Sequence, residues 1–135
     1  MDVAAFIRAR FLPLAERISR RFGYSTILYA RSGYDAVCVE RLDGWHPIQV
    51  FLNKTGDRRP LGMGSATLSI LAAMPEDEAE MILTHNEQEI RFVLKTDFSA
   101  LRGFLAEARR KGYASAQGML LEGTIGRFPC PAHGE

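Results

Sequence analysis

Residues 58–75 read RRPLGMGSATLSILAAMP, an apolar run of helical character that opens on very small side chains: Gly62, Gly64, Ser65, Ala66, Thr67 and Ser69. At a helix start the first backbone N–H groups have no partner within the helix, and the aligned peptide dipoles favour a negative group there. Side chains this small let something come close to those amides. One reading is a sheet on which the helix lies; the other is a small carboxylate docked on the amides. The two are compatible, because packing and amide exposure can occupy opposite sides of one turn. The stretch does not match the phosphate-loop pattern G-x-x-x-x-G-K-[ST].

Outward toward the C-terminus, Pro75 followed by Glu76, Asp77 and Glu78 has the chemistry of a helix first turn, and that helix is expected to end near Leu83. A short strand is expected at Ile90 to Leu94. Asp97 then caps a helix carrying Phe98, Leu101, Phe104, Leu105 and Ala108, with Arg109, Arg110 and Lys111 in its last turn and Gly112 as its stop. After Tyr113 the periodicity is lost, and neither a helix nor a clear final strand is expected.

Toward the N-terminus, Val3, Ile7, Phe11, Leu14, Ile18 and Phe22 step by three or four and draw an apolar stripe on a helix that Asp2 can cap and Gly23 can end. Pro13 lies inside it; an interior proline costs roughly 3 kcal/mol, so a kink or two helices meeting near Phe11 and Leu12 is expected. The other face carries Arg8, Arg10, Arg17, Arg20 and Arg21, read as a solvated surface. From Ser25 to Asn53, β-branched and aromatic residues broken at Gly33 and Gly44 read as three strands of an antiparallel meander, the third near Pro47 to Leu52. Alternation puts Cys38 and Glu40 on one face of the second strand. No basic partner for a cysteine nucleophile is visible, so Cys38 reads as a small apolar group. Trp45 and His46 fit either a partner anchor or an aromatic plug at the sheet end.

Charges of 17 basic against 16 acidic residues do not give the strongly positive field of sequence-independent nucleic-acid binding, and 135 residues with 47% apolar content form one domain with its own core. His46, His85 and His133 share no ligand spacing, so no metal is expected, and no cofactor. Cys38 and Cys130 stand far apart and no stretch is long and apolar enough to span a membrane, which fits a cytoplasmic home.

Three stretches together resemble the effector-binding domain of IclR-type transcription regulators: ILYARSGYDAVCVERLDGWHPIQV (27–50), GDRRPLGMGSATLSILAAMPEDE (56–78) and LRGFLAEARRKGYASAQGMLLEG (101–123). The resemblance runs from about Phe11 to Gly123. It implies an α+β fold, a GAF-like antiparallel sheet with helices packed on it, that senses a small carboxylate metabolite, does no chemistry and forms homo-oligomers. It implies that residues 1–12 are the tail of a linker helix and 13–135 the effector-binding domain. DNA would be read only through a winged helix-turn-helix absent from this chain, and the family's last strands and closing helix are expected to be missing after Glu135. Gly64, Ser65 and Ala66 match the family stretch whose amides hold the effector's anionic group. Gln117 falls where many members carry an acidic pocket residue, and Gly126 where members often carry cysteine. The alternative is a module that no longer senses and only oligomerises with family members.

Overall fold

The computed structural model describes residues 3–45, 54–93, 97–117 and 125–129. The elements in chain order are helix α1 (Val3–Phe22), strands β1 (Thr26–Ser32), β2 (Asp35–Leu42) and β3 (Arg58–Pro60), helices α2 (Ser65–Ala72) and α3 (Glu76–Val93), a 3₁₀ turn (Phe98–Ala100) running into α4 (Leu101–Lys111), and strands β4 (Tyr113–Gln117) and β5 (Ile125–Pro129). One sheet has the order β1-β2-β3, and β4 pairs with β5 in a second. The fold is α+β. Two compact units divide it, Met1–Ser32 with Ala36–Arg58 and Gly33–Asp35 with Arg59–Glu135.

In the first unit α1 lies on β1. It runs through Pro13 without a break, which corrects the expectation of two helices. The carbonyl that Pro13 cannot bond belongs to Ala9, and both residues are exposed, so water can satisfy it. Gly23 (φ 78°) ends the helix and donates its N–H to Ser19 O at 2.8 Å. Among its described residues α1 buries Ala15 and Ser19, whereas Phe11, Leu14, Ile18 and Phe22 of the apolar stripe stay exposed. Arg8 departs from the solvated arginine face: its Nη2 donates to Val39 O at 2.9 Å and its Nε lies 3.4 Å from Glu40. Trp45 is 67% exposed and meets the end of α1 rather than closing the sheet: its Nε1 donates to Arg20 O at 2.7 Å and its ring lies over Gly23. β1 and β2 are joined by Gly33 and Tyr34, a connection too short for anything but an antiparallel hairpin. The expected strand at Pro47 to Leu52, like His46, lies outside the described residues. β3 was not foreseen; just ahead of it Cys38 and the 56–57 turn exchange backbone bonds, Cys38 N to Asp57 O and Gly56 N to Cys38 O, both 2.8 Å.

The second unit holds the larger core. Leu61, Leu68, Leu71, Ile82, Leu83, Ile90 and Leu101 are completely buried, each worth roughly 1.5–3 kcal/mol. α3 continues to Val93, past the expected end at Leu83 and through the stretch expected to be a strand, with Leu94 outside the described residues. Its buried residues Ala79, Ile82, Leu83, Asn86 and Ile90 hold one helical face throughout, and that burial overrides the local β preference of Ile90 to Val93. α4 ends as expected, Gly112 (φ 85°) closing it in the left-handed conformation, but the Asp97 carboxylate, accepting from Ser99 N at 3.2 Å, caps the 3₁₀ turn that holds Phe98, and α4 begins at Leu101 without a side-chain cap. β4 and β5 correct the expectation of no final strand, in the register Tyr113↔Pro129, Ser115↔Arg127 and Gln117↔Ile125. Small residues such as Ala114, Ser115, Ala116 and Gly126 have little strand preference of their own, so pairing across the chain decides this pair.

Arg102 stacks 5.6 Å from the Phe98 ring and pairs with Glu80, tying α4 to α3. The Arg102 hydrogen bond holds the Glu80 carboxyl below the usual carboxylate range. A lowered folded-state pKa contributes stability above the unfolded value and loses it as pH falls through the folded one. The pair is half exposed, so Arg102→Gln should cost no more than about 1 kcal/mol at neutral pH. The deficit against wild type should shrink in acid to what the lost Phe98 contact leaves; urea melts at several pH values check this, and a deficit that stays level or grows in acid would contradict it.

Candidate functional site

The chain from Leu61 to Ser69 is buried without interruption. Gly62 (φ 111°) lies against α3, where an added Cβ would sit 2.8 Å from both Ile90 Cδ1 and Leu83 Cδ2. Gly64 caps α2 with φ 105° and ψ 167°, a conformation essentially reserved for glycine, and supplies no side-chain cap. The nearby hydroxyls do not cap the amides either: Thr67 Oγ1 donates to Gly64 O at 3.0 Å and Ser69 Oγ to Ala66 O at 2.6 Å. The Gly64 carbonyl also accepts from Leu68 N. Among the described residues, no acceptor faces the backbone N–H groups of Ser65, Ala66 and Thr67. Ser65 is only 7% exposed. A buried helix start whose donors are unmet calls for a partner of acceptor chemistry, and the dipole favours an anionic one.

α2 packs against β4 and β5 as well as α4, so the strand that carries Gln117 runs beside the helix that carries Gly64, Ser65 and Ala66. Gln117 ends β4 opposite Ile125, and Gly126 pairs with Ala116. The close-packing reading finds its counterpart, Gly62 lying against α3 and α2 against β4 and β5. Two shallow depressions described elsewhere, one along α1 and one along α3, include no residue of α2.

Asn86 is the positioning residue that the sequence reading passed over. Its Nδ2 donates to Leu61 O at 3.1 Å and to Tyr34 O at 2.8 Å, and Tyr34 O also receives Leu61 N at 3.0 Å. This fixes the chain immediately before the Gly62–Gly64 turn. The signal was a lone amide on the apolar face of a helix, where a buried polar group must find partners. Cys38 is buried and reduced, and burial, reinforced by Asp57 and Glu40, pushes its thiol pKa up, the opposite of what a nucleophile needs. No group of residues suited to a metal ion occurs among the described residues.

The family of bacterial transcriptional regulator IclR C-terminal domains matches residues 3–124. This chain belongs to that family. Its relatives are transcription regulators rather than enzymes. Among them, the HTH-type transcriptional regulator KipR of Bacillus subtilis strain 168 is 30% identical over 81 residues, 60% of this chain and 32% of that protein. An IclR homologue of Microbacterium hydrocarbonoxydans, solved in complex with 4-hydroxybenzoate, is 29% identical with a TM-score of 0.71, over 93% of this chain and 52% of that one. The IclR of Thermotoga maritima shares the fold at 23% identity and a TM-score of 0.72, over 88% of this chain and 48% of that one. The IclR-type domain seen here thus spans about half the length of those solved chains and a third of KipR.

Proposed function

We propose that this chain is the sensing and oligomerising part of an IclR-type regulator, and that it holds a small carboxylate metabolite on the amides at Gly64, Ser65 and Ala66. Residues 1–12 end a linker helix, residues 13–135 form the effector-binding domain, and the protein works in the cytoplasm. The observation that supports this most is the buried start of α2, whose amides meet no acceptor among the described residues. A carboxylate there accepts two or three N–H bonds at once, in a place where water competes poorly and the helix dipole adds to the attraction. That a relative binds 4-hydroxybenzoate, itself a carboxylate, points the same way. Gln117 replaces an acid common in the family with a neutral amide, which selects against effectors that present an ammonium group.

Thermal melts with pyruvate-like, glyoxylate-like and hydroxybenzoate-like acids test the reading. A ligand at a hundred times its dissociation constant stabilises by about 2.7 kcal/mol, whereas the matching primary amides should do little. Ser65→Pro makes the test specific. Proline is well tolerated at the first helical position yet removes one amide donor, so this variant should keep its melting temperature and lose the carboxylate response. An unchanged response in Ser65→Pro, or no response to any acid, sinks the proposal. Gln117 also favours a second reading, a module that has lost sensing and only joins relatives in mixed oligomers; size analysis of the chain mixed with a full-length regulator separates the two.

A further inference from the structure

We infer that α1 is an amphipathic helix that lays its exposed apolar stripe on an anionic lipid surface. Phe11, Leu14, Ile18 and Phe22 share an arc of about 80° at 100° per residue, and all four are exposed, Leu14 by 50%. The first unit does not use this stripe for its packing, since among its described residues α1 buries Ala15 and Ser19. A water-facing apolar stripe of this kind marks an interaction surface. Charge says what it meets. Arg10, Arg17 and Arg21 run beside the stripe in a row about 17 Å long, as long as the stripe itself. All three are exposed and in no ion pair among the described residues. The one acidic residue of α1, Glu16, lies about 160° around the helix from Ile18 and so faces away from the stripe.

The spacing between rings and cations matches a bilayer surface. The Arg10 guanidinium stands 6.0 Å from the centre of the Phe11 ring, and that of Arg21 stands 5.6 Å from the Phe22 ring. An amphipathic helix sinks its apolar face by about 5–10 Å, so rings at the acyl boundary leave these cations at the level of the phosphates. Exposed aromatics also gather at the C-terminal end of α1. Tyr24 follows Phe22 in the chain, and Trp45 is fixed there by its bond to Arg20 O. Tyrosine and tryptophan, apolar in body and polar at one end, settle at the headgroup level. No helix among the described residues is long and apolar enough to cross a membrane, so α1 lies in the plane of the surface. A nucleic-acid backbone would engage the arginines but leave the four apolar residues in water. The contact does not depend on effector binding, and it stands or falls separately from the site at α2.

Co-sedimentation of the whole chain with lipid vesicles tests this, for the wild type, Leu14→Glu, the double variant Arg17→Gln/Arg21→Gln, and Phe92→Glu on α3 as control. All the substituted positions are exposed, so circular dichroism should find the fold intact. The wild type should bind vesicles of phosphatidylglycerol and phosphatidylcholine in equal parts, less at high salt. It should bind phosphatidylcholine alone about ten-fold more weakly or worse. Each arginine near an anionic surface is worth about five-fold in binding, so the double variant should lose about thirty-fold. Leu14→Glu should lose at least as much, and Phe92→Glu nothing. Emission from Trp45, the chain's one tryptophan, should shift to the blue on binding. No binding to anionic vesicles at low salt, equal binding to phosphatidylcholine alone, or an unshifted Trp45 in the bound chain overturns the inference. So does duplex DNA bound through Arg17 and Arg21 but indifferent to Leu14→Glu, which would assign the row to a phosphate backbone. A Leu14→Glu chain that changes oligomer size yet keeps its vesicle binding would assign the stripe to a protein contact and overturn it as well.

Discussion

Gly44→Ala should unfold the first unit or lower its melting temperature by about ten degrees or more. A Cβ at Gly44 would lie 2.0 Å from the Gly23 carbonyl oxygen, 2.2 Å from its carbon and 2.7 Å from Tyr24 N. These are backbone atoms, so no rotamer change relieves the overlap. Nor can Gly23 retreat: it is bonded to Ser19 O at 2.8 Å, and the Trp45 ring lies 2.7 Å from the place its own Cβ would take. Accommodating a methyl group means pushing the chain after β2 off the end of α1, a loss of about 3 kcal/mol or more. Gly103→Ala is the internal control. It is an exposed position of α4 with nothing within 4 Å of the new carbon, so the same substitution should stabilise by about 0.5–1 kcal/mol. Thermal unfolding followed by circular dichroism reads both, and a Gly44→Ala melt within two degrees of wild type would refute the packing described here.

Asn86→Asp is expected to be the most damaging single-atom exchange in the second unit. Asn86 is 5% exposed and its Nδ2 serves two carbonyls, those of Leu61 and Tyr34. Ile82, Leu83 and Ile90, on the same buried face, offer no polar substitute. Ionised aspartate would turn an acceptor toward two acceptors and bury a charge without a counterion, costing about 3–5 kcal/mol. Protonation restores one donor at most, so the folded variant holds its proton more tightly than the unfolded chain. The sign follows: the defect is smallest below the unfolded carboxylate pKa and grows as pH rises toward the folded one. Urea melts at pH 4 and pH 7 should therefore give a larger loss at pH 7. A loss equal at both values would mean that the amide acts only by filling space. Because Asn86 holds the carbonyl ahead of the Gly62–Gly64 turn, the carboxylate response at α2 should weaken along with stability.

What was legible in consecutive residues is the local backbone of the candidate site: Gly64 takes a positive φ and supplies no side-chain cap to the start of α2, as its small neighbours in the linear sequence suggest. Asn86, 20 positions or more downstream, joins that site only through folding: its place on the apolar face of a helix marks an amide in need of partners, but not which carbonyls it meets. Arg8 was read with its neighbours as part of a solvated face, although it reaches Val39 and Glu40 on β2.

What the sequence determined by itself are the features set by local rules: Gly23 as the stop of α1, the acidic opening of α3, the Asp97 cap of the 3₁₀ turn ahead of α4, and Gly112 as the stop of α4. Caps and helical periods act within one or two turns, so the residues that define them are neighbours in the chain. Only the tertiary structure decided that α3 continues to Val93, that β4 and β5 pair, and that α1 buries Ala15 and Ser19 while Phe11, Leu14, Ile18 and Phe22 face water. Each of those outcomes depends on what lies opposite in space, and a helix of two-sided character or a strand of small residues carries no record of its partner.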